Sequence, residues 1–182
     1  MSNNLENLNI VRNLEEKTTN LRINFWLENE LFSIEWWFLL IVILIIPWII
    51  WMKFHEKSRT FELLLFGTLT MITAANLDSV GEDLAFWGYP VELIPAGHNA
   101  FPFNFGIVPV AFMLLHQYSS NWKSFSIGLF TLAVLFAYVG EPFSQYIGVY
   151  KLFKWKFTYS FFYYIINGLL LRLFVIKIKY ET

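Results

Sequence analysis

The stretch Trp36–Met52, WWFLLIVILIIPWIIWM, contains no charged residue. With Phe32, Ser33 and Ile34 ahead of it, the segment reaches about 20 residues, the length a helix needs to cross a hydrocarbon core of about 30 Å. Trp36 and Trp37 open the run and Trp48 and Trp51 close it. Indole rings at both ends match the aromatic belts of membrane interfaces. Pro47 is expected to kink the last turns, which a membrane helix tolerates. This run decides the class of the protein: a helix apolar on all sides belongs in lipid.

Four further spans follow from the same reasoning. The first lies near 32–52, the others near 61–78, 103–118, 124–140 and 157–176. Gly67, Thr68, Thr70, Thr73 and Ala74 make the second span small-sided, as in a helix packed on neighbours rather than lipid. The interval Leu84–Pro95 is apolar but interrupted by Gly88, Pro90 and Pro95. It reads as a re-entrant or interfacial piece, with a sixth span as the alternative. The expected fold is an all-α, polytopic membrane bundle of about five helices with an acidic, Pro/Gly-rich loop.

Composition agrees. Charged residues are 15% of the chain and aromatic residues 20%, against about a quarter charged in soluble domains. The net charge of −1 gives no sign of a nucleic-acid partner. The absence of cysteine removes disulfides, thiol catalysis and Cys-ligated metals. No basic run followed by an apolar core opens the chain, so no signal peptide is expected. Residues 1–31 form a separate tail, in which Leu5, Leu8, Val11 and Leu14 recur every three residues. That spacing suggests an amphipathic surface helix; a mobile tail is the alternative. Residues 32–178 form the membrane domain.

Lys53, Lys57, Arg59, Lys123, Lys177 and Lys179 fall in loops that alternate with the acid-rich one. The positive-inside rule puts them in the cytoplasm and the N-terminus outside. Lys151, Lys154 and Lys156 oppose that orientation.

The candidate polar site draws on Asp78, Glu82, Glu92, His98, His116 and Glu141. Asp78 and Glu82 are four apart and share a face if the second span continues past Leu77. Paired carboxylates at low dielectric can share a proton or hold a cation, and Glu92 and His98 can complete such a site. The simpler reading is a solvated acidic exit, with the helix ended by Gly81. Glu141 precedes Pro142, so it either starts a helix and favours its dipole or serves as a functional carboxylate inside the membrane. His116 reads as a helix-packing residue. Arg172 is expected to snorkel. Three histidines leave no multi-His metal centre, and no metal or other cofactor is expected. Asp78 and Glu141 are expected to meet beneath a cap formed by 86–102, while Glu82 and Asp83 point to water.

Five segments carry a resemblance: LIIPWIIWMK (Leu44–Lys53), LDSVG (Leu77–Gly81), FWGYPVELIP (Phe86–Pro95), VPVAFMLLHQYSSNWKSF (Val108–Phe125) and EPFSQYIGVYKLFKWKFTYSFFYY (Glu141–Tyr164). Together the chain resembles an uncharacterised family of small multi-span membrane proteins from endospore-forming Gram-positive bacteria, over about residues 30–175. The resemblance implies a polytopic protein of the cytoplasmic membrane. It implies no activity and no site residue. It does suggest that Asp78, Trp87, Pro90, Pro95, Trp122 and Glu141 belong to a shared pattern.

Three functions remain. The first is a structural or accessory protein of the lipid bilayer, acting through a membrane-protein partner or as a homo-oligomer. The second is a small transporter or channel using Asp78 and Glu141. The third is a membrane enzyme acting on lipid. A polar cavity shared by Asp78 and Glu141 favours the second or third; scattered acids favour the first.

Overall fold

The computed structural model describes residues 2–95 and 100–181 and is almost entirely helical. Helix α1 (Ser2–Phe25) runs into a π-wound turn, Trp26–Glu30. Helix α2 (Ile34–Phe54) starts where the Ser33 side chain accepts from Trp36 N at 3.1 Å, an ordinary N-cap. Helix α3 is Lys57–Asp83, α4 covers 103–118, α5 is Trp122–Tyr146 and α6 is Phe157–Glu181. Strands β1 (Trp87–Gly88) and β2 (Lys151–Leu152) pair antiparallel, Trp87 opposite Leu152.

Helices α2, α3, α5 and α6 are long and apolar enough to cross a membrane. Their outer faces leave Ile34, Ile49, Phe61, Ile127, Phe162 and Leu170 more than half exposed. Such a coat would be costly in water, and a bilayer accommodates it. The protein is a membrane protein with an all-α helical bundle.

The expectation of five equivalent spans changes here. Helix α4 joins a five-residue π segment to an eleven-residue α segment and is short for a crossing. It is also the core element, burying Asn104, Gly106, Val108, Val110, Phe112 and Met113 among others. Its ends meet protein: Asn104 lies against Asp78, and the Gln117 side chain accepts from Glu56 N at 2.9 Å. Its length is therefore matched to its neighbours rather than to lipid. Around it pack Phe66, Phe125, Leu129, Leu171 and Val175 on one side and Leu39 and Ile43 on another.

Three helices share a local device. A π segment occupies Leu39–Ile45 in α2, Phe103–Ile107 in α4 and Phe136–Gly140 in α5. Each ends two residues before a proline: Pro47, Pro109 and Pro142. Proline has no N–H for the carbonyl four residues back, and its ring crowds that carbonyl. The residue before each proline instead donates five residues back: Ile46 to Ile41, Val108 to Phe103 and Glu141 to Phe136. The turn widens and the helix continues. Glu141 therefore sits within a continuous α5, not at the start of a new helix.

Gly81 does not end α3 either; the helix runs on to Asp83. A Cβ at Gly81 would overlap the Trp87 ring, so the glycine admits the indole. The interval Leu84–Pro95 contains no described helix. It crosses one end of the bundle as an extended cover, anchored by β1. We call this the acid end; the Lys57 and Ser119 turns form the basic end. On α1 the stripe Leu5, Leu8, Val11 and Leu14 is exposed.

Candidate functional site at the acid end

Asp78 faces the bundle interior from the last turns of α3 and is 8% exposed. Four donors converge on its carboxylate. Trp87 Nε1 at 3.0 Å and the Tyr89 hydroxyl at 2.7 Å donate to Oδ1. Ala100 N at 3.1 Å and the Asn104 amide donate to Oδ2. Two come from the cover, one from the approach to α4 and one from α4 itself, so Asp78 ties three segments together. Four donors and no acceptor suit an ionised carboxylate, whose oxygens carry about four lone-pair sites.

Glu141 approaches the same space from α5. Ser160 of α6 donates to Oε2 at 3.0 Å, and the Tyr164 hydroxyl reaches Oε1 at 3.5 Å. Trp155 Nε1 donates to Ser160 Oγ at 2.9 Å. Asp78 and Glu141 both line one cavity of about 320 Å³, whose walls draw on α2, α3, the cover, α4, α5 and α6. All three π segments that precede a proline contribute, through Ile43, Asn104 and Phe136 among others. The widened turns thus surround the place where the helices part.

The walls are aromatic. Trp87 and Trp155 meet edge to face at 5.0 Å, and Tyr89 and Tyr150 lie 5.5 Å apart. Burial pushes the Tyr89 hydroxyl well above the usual phenol range, with Asp78 beside it adding to the effect. Burial also raises Tyr150, helped by the nearby Glu141 and Asp78. Both phenols stay protonated, and Tyr89 donates to Asp78. Among the described residues no Lys, Arg or His lines the cavity.

The other candidates are dispersed. Glu82 is half-buried rather than in water, with Oε2 buried and unpartnered among the described residues; Asp83 is exposed as expected. Glu92 lies outside the cavity lining and fastens α1 to the cover. Its backbone N donates to Glu30 Oε2 at 2.7 Å, its carbonyl accepts from Trp26 Nε1 at 2.9 Å, and its carboxylate lies 3.9 Å from Arg22. Burial pushes the Glu92 carboxyl up to about 7 and raises Glu30 as well. His98 lies outside the described residues.

His116 belongs to the basic end. Its Nε2 is 2.8 Å from Glu62, which Arg59 also holds at 2.8 Å, and Phe66 stacks on the ring at 4.5 Å. Arg172 does not snorkel: it is 5% exposed, donates to Ser119 O at 3.2 Å and lies 4.2 Å from the Phe125 ring. A nearby carbonyl and a ring face give it an interior alternative to the headgroups.

Trp87, Tyr89, Asn104, Tyr150, Ser160 and Tyr164 were not anticipated as site residues. Asn104 and Ser160 carried a signal, because a polar group inside an apolar span needs a partner. No family model, curated protein or solved structure matches the chain.

Proposed function

We propose that this protein is a small transporter or channel of the cytoplasmic membrane that admits a polar solute to the Asp78–Glu141 cavity. The observation that carries the reading is the cavity itself: one space inside the bundle, lined by two carboxylates from different helices. An accessory role needs no such space. Catalysis on lipid has less support, since Ser160 meets a carboxylate while His116, the described interior histidine, is engaged at the basic end. Phe143 lines the cavity and is 49% exposed. Lys53, Lys57, Arg59 and Lys123 favour a cytoplasmic basic end, which leaves the acid end and the N-terminus outside.

The chain has no cysteine, so single thiols test this directly. Ser144 is buried and lines the cavity. In Ser144→Cys, a water-soluble thiol reagent applied to intact cells should label the cavity, more slowly than the exposed reference Glu28→Cys and with Lys57→Cys protected. No labelling at position 144 after the reference is complete, in cells or in inverted vesicles, would overturn the solute-site reading. Labelling at 57 but not at 28 would reverse the orientation alone.

A further inference from the structure

The cavity holds two carboxylates with no basic side chain among its described lining residues. Buried negative charge of that kind needs a proton or a cation. Asp78 is saturated: each oxygen accepts two bonds, one of each pair from a fixed N–H. Among the described residues Glu141 is engaged only by hydroxyls, one of them at 3.5 Å. The carboxylate with room for a partner is therefore Glu141.

What kind of cation fits follows from the walls. An inorganic ion must replace its water with several oxygen ligands, six to eight for calcium. With Asp78 occupied, the cavity offers Glu141 and a few hydroxyls. Among the described residues no three His, Asp or Glu side chains converge on one point. The walls are instead rich in aromatic rings: Trp87, Trp155, Tyr89, Tyr150 and Tyr164. Ring faces attract cations through the quadrupole, and quaternary ammonium groups are recognised by such aromatic cages. At about 320 Å³, the space lies at the small end of the ligand-pocket range of about 300–1,000 Å³.

We propose that the cavity binds a small organic ammonium ion, with Glu141 as its counter-charge and the Trp87–Trp155 and Tyr89–Tyr150 pairs as its cage. Asp78 is a positioning residue that holds Trp87 and Tyr89 in place. This rests on the solute-site reading above. The ammonium group can arrive on a free solute or on a lipid headgroup, and Phe143, which lines the cavity, is itself half-exposed.

The test is a titration of the full chain in a maltoside detergent, which carries no ammonium group, followed by intrinsic tryptophan fluorescence, in which Trp87 and Trp155 are two of eight emitters. Choline, its neutral isostere 3,3-dimethylbutan-1-ol and phosphocholine are the three probes. Choline or phosphocholine should saturate the signal at least tenfold more tightly than the neutral alcohol. Choline binding the tighter of the two points to a free solute; phosphocholine binding tighter points to a headgroup. Glu141→Gln should bring the charged probe down to the neutral alcohol's affinity, and the wild-type comparison stands even if that variant folds poorly. Equal or tighter binding of the neutral alcohol overturns the ammonium assignment and leaves the solute site standing. No saturable binding of any probe, with the thiol of Ser144→Cys still labelled, also overturns the ammonium assignment alone. Failure of that thiol to label removes both.

Discussion

Asp78→Asn isolates what the acid contributes, because it keeps the shape and removes the charge. The amide oxygen can serve one donor pair, and the amide N–H₂ then faces the other. If it faces Ala100 N and Asn104, the Asn104 amide can flip to accept but the Ala100 N–H cannot. If it faces Trp87 and Tyr89, the Tyr89 hydroxyl can rotate but the indole N–H cannot. Either way one fixed buried donor is stranded, at about 1–3 kcal/mol. The surviving bonds also fall from charge-assisted, about 1.5–3 kcal/mol each, to neutral, about 0.5–1.5. The expected loss is on the order of 3–6 kcal/mol. For a chain of this size about 2–4 °C accompanies each kcal/mol, so thermal unfolding in detergent should shift down by roughly 6–24 °C. Glu28→Gln, at an exposed position, should shift it by less than about 0.5 kcal/mol. An Asp78→Asn midpoint within about 2 °C of wild type would refute the argument. It would mean that residue 78 is already a neutral acid donating a proton of its own.

Two further outcomes follow from packing and titration. A Cβ at Gly106 would collide with the Ile43 carbonyl oxygen, whereas one at Gly67 meets only the flexible Met113 side chain. Gly106→Ala should therefore cost more than Gly67→Ala, near the upper end of the roughly 1–3 kcal/mol range for overpacking; the reverse order in thermal unfolding would show that α2 and α4 slide freely. The second outcome concerns Glu92, pushed up to about 7 by burial, and Glu30, also raised. A carboxyl raised in the docked form holds a proton that the released form gives up between about pH 4.3 and the docked value. The attachment of α1 to the cover is then firmest at low pH and weakens as pH rises through about 7. Spin labels at positions 28 and 94 should show a broader distance distribution at pH 8 than at pH 5, and Glu92→Gln should flatten the difference. Identical distributions in the wild type would remove Glu92 as the latch.

Residues Trp36–Met52 made the membrane assignment legible because length and apolarity are local properties of a run, and the bilayer reads them directly. The same holds for α3, α5 and α6, whereas the widened turns ahead of the three prolines were not legible: Pro142 reads as a helix start, yet Glu141 sits inside a continuous α5. The two carboxylates worth attention, Asp78 and Glu141, were also visible, since an acid after a long apolar run is costly wherever it lands. Their partners were not. The donors to Asp78 lie 9, 11, 22 and 26 residues further along, and Ser160 lies 19 residues beyond Glu141. Nothing local to Trp87, Tyr89 or Ser160 distinguishes them from interface aromatics or an ordinary helix hydroxyl. Glu82, Glu92 and Asp78 looked alike as neighbouring acids, yet the first is half-buried, the second fastens α1, and the third ties three segments together. Glu30 shows the same limit: an acid in a polar tail, buried only because Glu92 of the cover comes to meet it. The sequence by itself determined that the chain belongs in lipid as a helical bundle, because length and apolarity depend on neighbours along the chain. Only the tertiary structure decided which acids share a cavity and what surrounds them, because that depends on which helix faces turn inward and on where the cover crosses them.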